Sequence, residues 1–192
     1  LSYLSYGLRT KKEMTQYLIK QLKDNGLNDD EIEDQKEDID KTILRLVDLN
    51  LMDDLSYAEA YVRTKANINR KGPQVIQQEL MTKGITKETV EKALEQYSIE
   101  VQSDNIEHLA EKFIRSNQKY PLKALKLRLQ QHLMLKGFDK ELVMEWMNAF
   151  SFDSLDNDED ALIKNEAEKI MRRRQAKFQG RELEQKVKEG LY

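Results

Sequence analysis

The chain has 192 residues, 35% of them charged and 39% hydrophobic, with seven glycines, two prolines and only 7% aromatic residues. That composition suits helices, offers few turn formers for a sheet, and favours an elongated array of small units over one large spherical core. The lack of cysteine excludes a disulfide framework or a thiolate metal site. No apolar run approaches the roughly 20 residues of a membrane span and no secretion signal opens the chain, so a monomeric cytoplasmic protein is expected.

The formal net charge of -3 hides an alternation along the chain. Between residues 28 and 40 the charged side chains are Asp29, Asp30, Glu31, Glu33, Asp34, Glu37, Asp38 and Asp40 against Lys36 alone. Between residues 109 and 136 the balance reverses, with Lys112, Arg115, Lys119, Lys123, Lys126, Arg128 and Lys136 against Glu111.

In chain order, Thr10 with Glu13 has capping-box spacing, which predicts a helix start. Leu18, Leu22, Gly26, Leu27 and Ile32 form a first, faint copy of a repeat, and the acidic stretch after it reads as an insertion between Asn25 and Thr42. Asp53 or Asp54 is expected to cap a helix over residues 56–66, with Ala58, Tyr61 and Val62 on its apolar face. Gly72-Pro73 predicts the next start, because proline's missing amide proton does no harm in a first helical turn.

Two clear copies follow. Residues 75–93 (VIQQELMTKGITKETVEKA) and 128–146 (RLQQHLMLKGFDKELVMEW) align without a gap, pairing Lys83-Gly84 with Lys136-Gly137 and Ile85 with Phe138. Ile76 matches Leu129, Leu80 matches Leu133 and Val90 matches Val143. In each copy the glycine ends an amphipathic stretch, where a left-handed backbone is needed, and Thr86 or Asp139 then caps another helix.

Asp104 with Glu107 also has capping-box spacing, and Ile106, Leu109, Ala110, Phe113 and Ile114 predict a helix over residues 105–117. Pro121 repeats the role of Pro73. The helix over residues 122–136 has a main stripe of Leu122, Leu125, Leu129 and Leu133, while Leu127 and Met134 lie on another side and suggest contact with a neighbouring unit. The segment SFDSLDNDED reads as a linker. Residues 161–177 and 179–192 then read as the first two helices of a further unit, whose third helix would lie beyond Tyr192.

The expected fold is all-α, an elongated curved array of tandem three-helix repeats. Its parts are a first repeat with its acidic insertion (1–52), a second (53–99), a third (103–150), an acidic linker (151–158) and a partial fourth repeat (159–192).

Chemistry of the catalytic kind has no motif. His108 and His132 lack the spacing and carboxylate company of a helical zinc site, and no phosphate-binding glycine loop or nucleophile elbow is present. The acidic run lacks the alternating ligands and glycine of a calcium loop, and no cofactor is expected. Charged helices usually serve solubility. A cluster of cations recurring in stacked units, however, would line one side with a stripe suited to phosphate backbones or an acidic protein groove. The candidates are Arg115, Lys119, Lys123 and Lys126, followed by Arg172, Arg173, Arg174 and Lys177. Tyr57, Tyr61 and Phe113 fall at core spacing, so aromatic rings are not expected to interleave with the cations as a base-stacking platform would.

At Leu51-Met52-Asp53-Asp54, Tyr57-Ala58, Tyr61-Val62, Gly72-Pro73, Ile76, Glu79-Leu80 and Lys83-Gly84-Ile85 the sequence resembles the bacterial RecX family. The stretch Leu4-Ser5-Tyr6 through Arg9-Thr10, Glu13 and Tyr17-Leu18 is similar to the start of that family's first repeat, and residues from Leu155 onward resemble the fourth unit of longer members. Those longer members carry a further amino-terminal segment ahead of the position of Leu1.

The resemblance implies a non-enzymatic regulator that binds the RecA filament on single-stranded DNA and mainly restrains its recombinase and ATPase activities, in recombination, DNA repair and the SOS response. The eight candidate cations then become candidates for contact with RecA, or with the phosphates of single- or double-stranded DNA. No contact residue transfers by motif, and the double aspartate and lysine-glycine pairs read as structural. A stand-alone nucleic-acid-binding helical repeat protein is the alternative.

Overall fold

The structure, a computed structural model, describes residues 2–5, 7–152, 159–175 and 177–191. The described residues form twelve helices and no strand. The chain divides into two compact units, residues 1–101 and 102–192. The linker expected at 151–158 falls largely outside the described residues.

The first unit begins with α1 (Ser2–Ser5), α2 (Lys11–Asp24), α3 (Asp29–Asp34) and α4 (Lys36–Asp48). Thr10 caps α2 through the expected reciprocal box: its hydroxyl accepts from the Glu13 amide and the Glu13 carboxylate accepts from the Thr10 amide. The acidic stretch expected as an insertion is helical. It forms α3 and the start of α4, because Ile32, Ile39 and Ile43 recur at helical spacing and turn inward, each buried, while the carboxylates face water. Asn28 caps α3 with a box of its own, and Asp29, Asp30 and Glu31 occupy the first turn, where the helix dipole favours negative charge. Gln35 closes α3 and opens α4, so the third helix of this repeat is long and interrupted once.

The second repeat comprises α5 (Asp54–Asn67), α6 (Pro73–Thr82) and α7 (Lys87–Leu94). Of the two expected capping residues, Asp53 takes the role, its carboxylate accepting from the Leu55 amide and the Ser56 hydroxyl. Asp54 instead accepts from the amide of Lys11, at the start of α2. Pro73 is the first residue of α6, as its ring requires. Ala58, Val62, Ile76, Leu80, Ile85, Val90 and Ala93 make the core of this repeat.

The second unit contains α8 (Ile99–Asn117, which begins at the unit boundary), α9 (Leu122–Leu135) and α10 (Lys140–Ala149), then α11 (Glu159–Arg174) and α12 (Gly180–Leu191). Asp104 and Glu107 lie inside α8 and cap nothing. Ile99 and the residues after it continue the helix on the amino side, so the break that a capping box needs is missing. Pro121 stands one residue earlier than expected, at the cap of α9. Leu125, Leu129 and Leu133 are fully buried with Ile106, Ala110, Phe138 and Val143, each leucine contributing about 2 kcal/mol of transfer free energy. Leu127 and Met134 stay 43% and 41% exposed, so the second stripe of α9 faces outward.

One device stops a helix in all three repeats. Gly26, Gly84 and Gly137 have φ of 95°, 84° and 91°, a backbone state that a side chain would strain. The amide of the next residue then reaches back five positions: Leu27 to the Leu22 carbonyl, Ile85 to Leu80, Phe138 to Leu133. The first copy is therefore in the same register as the other two.

Candidate functional site

The expected cations fall into two groups on different helices. Arg115 is exposed on α8, 4.0 Å from Glu111. Lys119 lies in the turn after α8 with its ammonium 5.4 Å from the centre of the Tyr120 ring, and Lys123 is exposed on α9. Lys126 is half-buried, its ammonium 4.6 Å above the ring of Phe152. Arg128 joins this group although its spacing on α9 did not single it out: its guanidinium lies 4.1 Å from the Tyr120 centroid.

Tyr57, Tyr61 and Phe113 pack against the cores as their spacing implies, but two other rings, half-buried Tyr120 and buried Phe152, lie against the cations. The rings involved, Tyr120 and Phe152, sit in the segments after α8 and α10, where helical periodicity carries no information. Each such contact is worth about 0.5–1 kcal/mol at an exposed site, and it holds the charge in place while leaving its hydrogen-bond donors free to meet an anion.

On α11, Arg172 is exposed and 3.9 Å from Glu168, while Arg173 and, in the following turn, Lys177 are exposed. Arg174 differs from the rest. It is half-buried and its guanidinium donates to the Lys186 carbonyl of α12, so it clamps the helical hairpin. The exposed pairs of Arg115 and Arg172 have little hold on their cations, since such surface pairs contribute about 0–1 kcal/mol.

A third constellation lies where the first repeat meets the second, and spacing gave no sign of it. Thr10 is 1% exposed, and its hydroxyl, besides capping α2, donates to the Lys83 carbonyl at 2.9 Å. The Lys83 ammonium lies 2.6 Å from the Glu13 carboxylate and within 6 Å of the Tyr57 and Tyr61 rings, at 5.6 and 5.8 Å. Lys12 donates to the Thr82 carbonyl, and the Lys12 side chain lies against Gly84 so closely that a β-carbon there would come within 2.6 Å of it.

The titrations record this packing. The hydrogen bond to Glu13, followed by that to Tyr57, holds the Lys83 ammonium well above the ordinary lysine range. Burial works against the Glu13 charge, yet Lys83, the Thr10 amide and Arg9 outweigh it and lower the carboxyl. Tyr61 is pushed up to about 12, first by burial and then by the hydrogen bond it donates to Glu79. Glu79 is also ion-paired to Lys71. The Lys83-Gly84 pair thus does two things: glycine ends the helix, and lysine pins the neighbouring repeat.

Among the described residues no group of three or more His, Asp or Glu side chains is placed to hold a metal ion, and no helix is long and apolar enough to cross a membrane. His108 is exposed, while His132 is half-buried with its ring 4.8 Å from that of Phe113.

Comparison with known proteins gives a consistent result. Residues 53–94 match the RecX second three-helix domain, and residues 100–147 match the third. Aligned over the whole chain, "Regulatory protein RecX" of Oceanobacillus iheyensis is 34% identical and that of Limosilactobacillus reuteri 36%. The chain spans 66% and 68% of the length of those two relatives. A crystal structure of regulatory protein RecX superposes with a TM-score of 0.65 at 32% identity, covering 77% of this chain and 67% of that one. RecX from Lactobacillus salivarius superposes with a TM-score of 0.64 at 34% identity, covering 77% and 89%. Together with three glycine-stopped helical repeats in one register, these matches establish that the chain belongs to the RecX family of regulatory proteins.

Proposed function

We propose that this chain regulates the RecA recombinase in the cytoplasm, binding the RecA filament on single-stranded DNA and mainly inhibiting its strand exchange and ATP hydrolysis during recombination, repair and the SOS response. The observation that carries this reading is the similarity of the chain, along its own length, to about two thirds of the length of RecX regulators. The exposed cations of α8, α9 and α11 support it, since a filament of nucleic acid and protein offers phosphates and acidic side chains in a regular array. No catalytic step is involved: the protein acts by occupying a surface.

The test is direct. Added to RecA filaments on single-stranded DNA, the chain is expected to bind and to slow both ATP hydrolysis and strand exchange; no effect on either at high molar excess refutes the reading. Changing Lys119, Lys123 and Lys126 together to Glu is expected to weaken the complex while leaving helix content unchanged. If binding survives, the contact moves to Arg172, Arg173 and Lys177 or the stripe is wrong.

The guanidinium of Arg128 on Tyr120 favours a second reading, a stand-alone nucleic-acid binder that contacts backbone phosphates. Salt separates the two. Simple DNA binding falls steeply as salt rises, whereas a protein contact persists on RecA in the absence of free DNA.

A further inference from the structure

We propose that the groove between α8 and α9 in the third repeat is a docking site for a carboxylate-bearing helix start on a partner protein, gripped by Lys136 and Lys112. The inference rests on the reading that the chain binds a protein filament, and it assigns one contact surface for that binding.

The groove has a volume of about 230 Å³; half-buried Leu109, Phe113 and His132 line it together with Asn117 and the cations Lys112 and Lys136. The molecule itself shows what such a groove accepts. In the gap-free alignment Lys136 stands where the second repeat has Lys83, and His132 where it has Glu79. With Ala110 matched to Ala58, Phe113 stands for Tyr61, Leu109 for Tyr57 and Lys112 for Ala60.

In the second repeat this face is met by a helix start. The Thr10–Glu13 capping box of α2 sets a carboxylate 2.6 Å from the Lys83 ammonium and a hydroxyl 2.9 Å from the Lys83 carbonyl. A capping-box glutamate is well suited to this role, because the box already fixes its rotamer and less entropy is lost on pairing.

Two substitutions between the copies favour an acidic visitor in the third, although Asn117 stands there in place of the cation Lys65. Glu79, which would repel a carboxylate, is replaced by His132, and Ala60 by the cation Lys112. The hydroxyls of Tyr57 and Tyr61 are lost, so the lining at Leu109 and Phe113 is more apolar. Lys83 is answered by Glu13, whereas among the described residues neither Lys112 nor Lys136 forms an ion pair. The unneutralised charge of Lys136 is felt locally, as it adds to burial in lowering the proton affinity of His132. An apolar lining that also carries two unanswered ammonium groups complements an aliphatic helix start bearing a carboxylate.

The experiment uses the full chain with RecA filaments. A carbodiimide, which joins an ammonium directly to a carboxylate already in contact with it, is expected to link Lys112 and Lys136 to Asp or Glu side chains of RecA, identified by mass spectrometry. The double variant Lys112→Glu/Lys136→Glu is expected to bind RecA about tenfold more weakly, with unchanged helix content and melting. Lys112→Gln/Lys136→Gln should lie between it and the original chain.

A complex that forms without links at either lysine, and that the charge reversal does not weaken, overturns the proposal. So does a variant that loses affinity for free single-stranded DNA while keeping it for RecA without DNA, which would make the groove a phosphate site. An original chain that forms no complex with RecA refutes the proposed function, and this assignment with it.

Discussion

Replacing Thr10 with Ala removes one hydroxyl that takes part in two hydrogen bonds of different kinds. Within its own helix the hydroxyl accepts from the Glu13 amide at 3.1 Å, a cap whose loss costs about 1 kcal/mol. Toward the second repeat it donates to the Lys83 carbonyl at 2.9 Å from a side chain 1% exposed to solvent, which adds about 1 kcal/mol. The total of about 2 kcal/mol should lower the melting temperature by about 4–8 °C in a chain of this size. Thr86→Ala provides the control, because Thr86 is an exposed cap that accepts from the Thr89 amide and bonds to no other repeat. Its loss should be about half as large. Differential scanning calorimetry of both variants, with Thr10→Ser expected to recover most of the loss, measures the difference. Equal shifts for Thr10→Ala and Thr86→Ala would show that the bond between repeats contributes nothing.

Three further outcomes follow from the same geometry. Gly84→Ala should destabilise more than Gly26→Ala in urea denaturation: both glycines have positive φ, but a β-carbon at Gly84 meets Lys12 at 2.6 Å whereas one at Gly26 meets open space. Titration of tyrosine absorbance should show one phenol ionising at about 12, lost in Tyr61→Phe, since burial and Glu79 hold the Tyr61 proton. His132 binds its proton less readily in the fold than in the unfolded chain, first because of burial and then because of Lys136. The unfolded state therefore binds more protons as pH falls below about 6.5, and stability should decline there; His132→Gln should flatten that part of a stability–pH curve.

The parts of the fold legible in the sequence are those encoded within one turn or one window of a helix. Gly84 and Gly137 after an apolar stripe, Pro73 at a helix start and the Thr10–Glu13 box each act over a few residues, and each appears where spacing places it. The Asp104–Glu107 pair has the same spacing and fails, because a box caps only if the chain ahead of it leaves the helix, and residues 99–103 do not. The acidic run concealed Ile39 and Ile43, since their stripe is sparse among carboxylates that all face water. The site was less legible for a geometric reason. Glu13 and Lys83 are 70 positions apart, and Tyr120 meets Arg128 from outside the helix that carries the arginine, so no periodicity within one helix relates either pair.

The same lysine-glycine turn recurs in the second and third repeats, yet its lysine should matter for different reasons in each. Lys83 is answered by Glu13 and lies against two tyrosine rings, so Lys83→Met leaves a half-buried carboxylate without its partner. After discounting for solvent, this costs about 1 kcal/mol and should appear as a lower melting temperature. Lys136 lines a groove and has no ion-pair partner among the described residues. Lys136→Met removes the charge that opposes protonation of His132, so its stability should be unchanged or slightly raised at low pH. Its cost should fall on binding instead. Calorimetry and filament binding measured on both variants separate the two roles: Lys83 in stability first, Lys136 in affinity first. If both variants lose stability alike, the two copies of the turn do the same structural work and the third repeat's groove has no reason to be read as open for a partner. If neither does, the ion pair is a surface contact and the first two repeats are held by Thr10 and the Asp54–Lys11 bond instead.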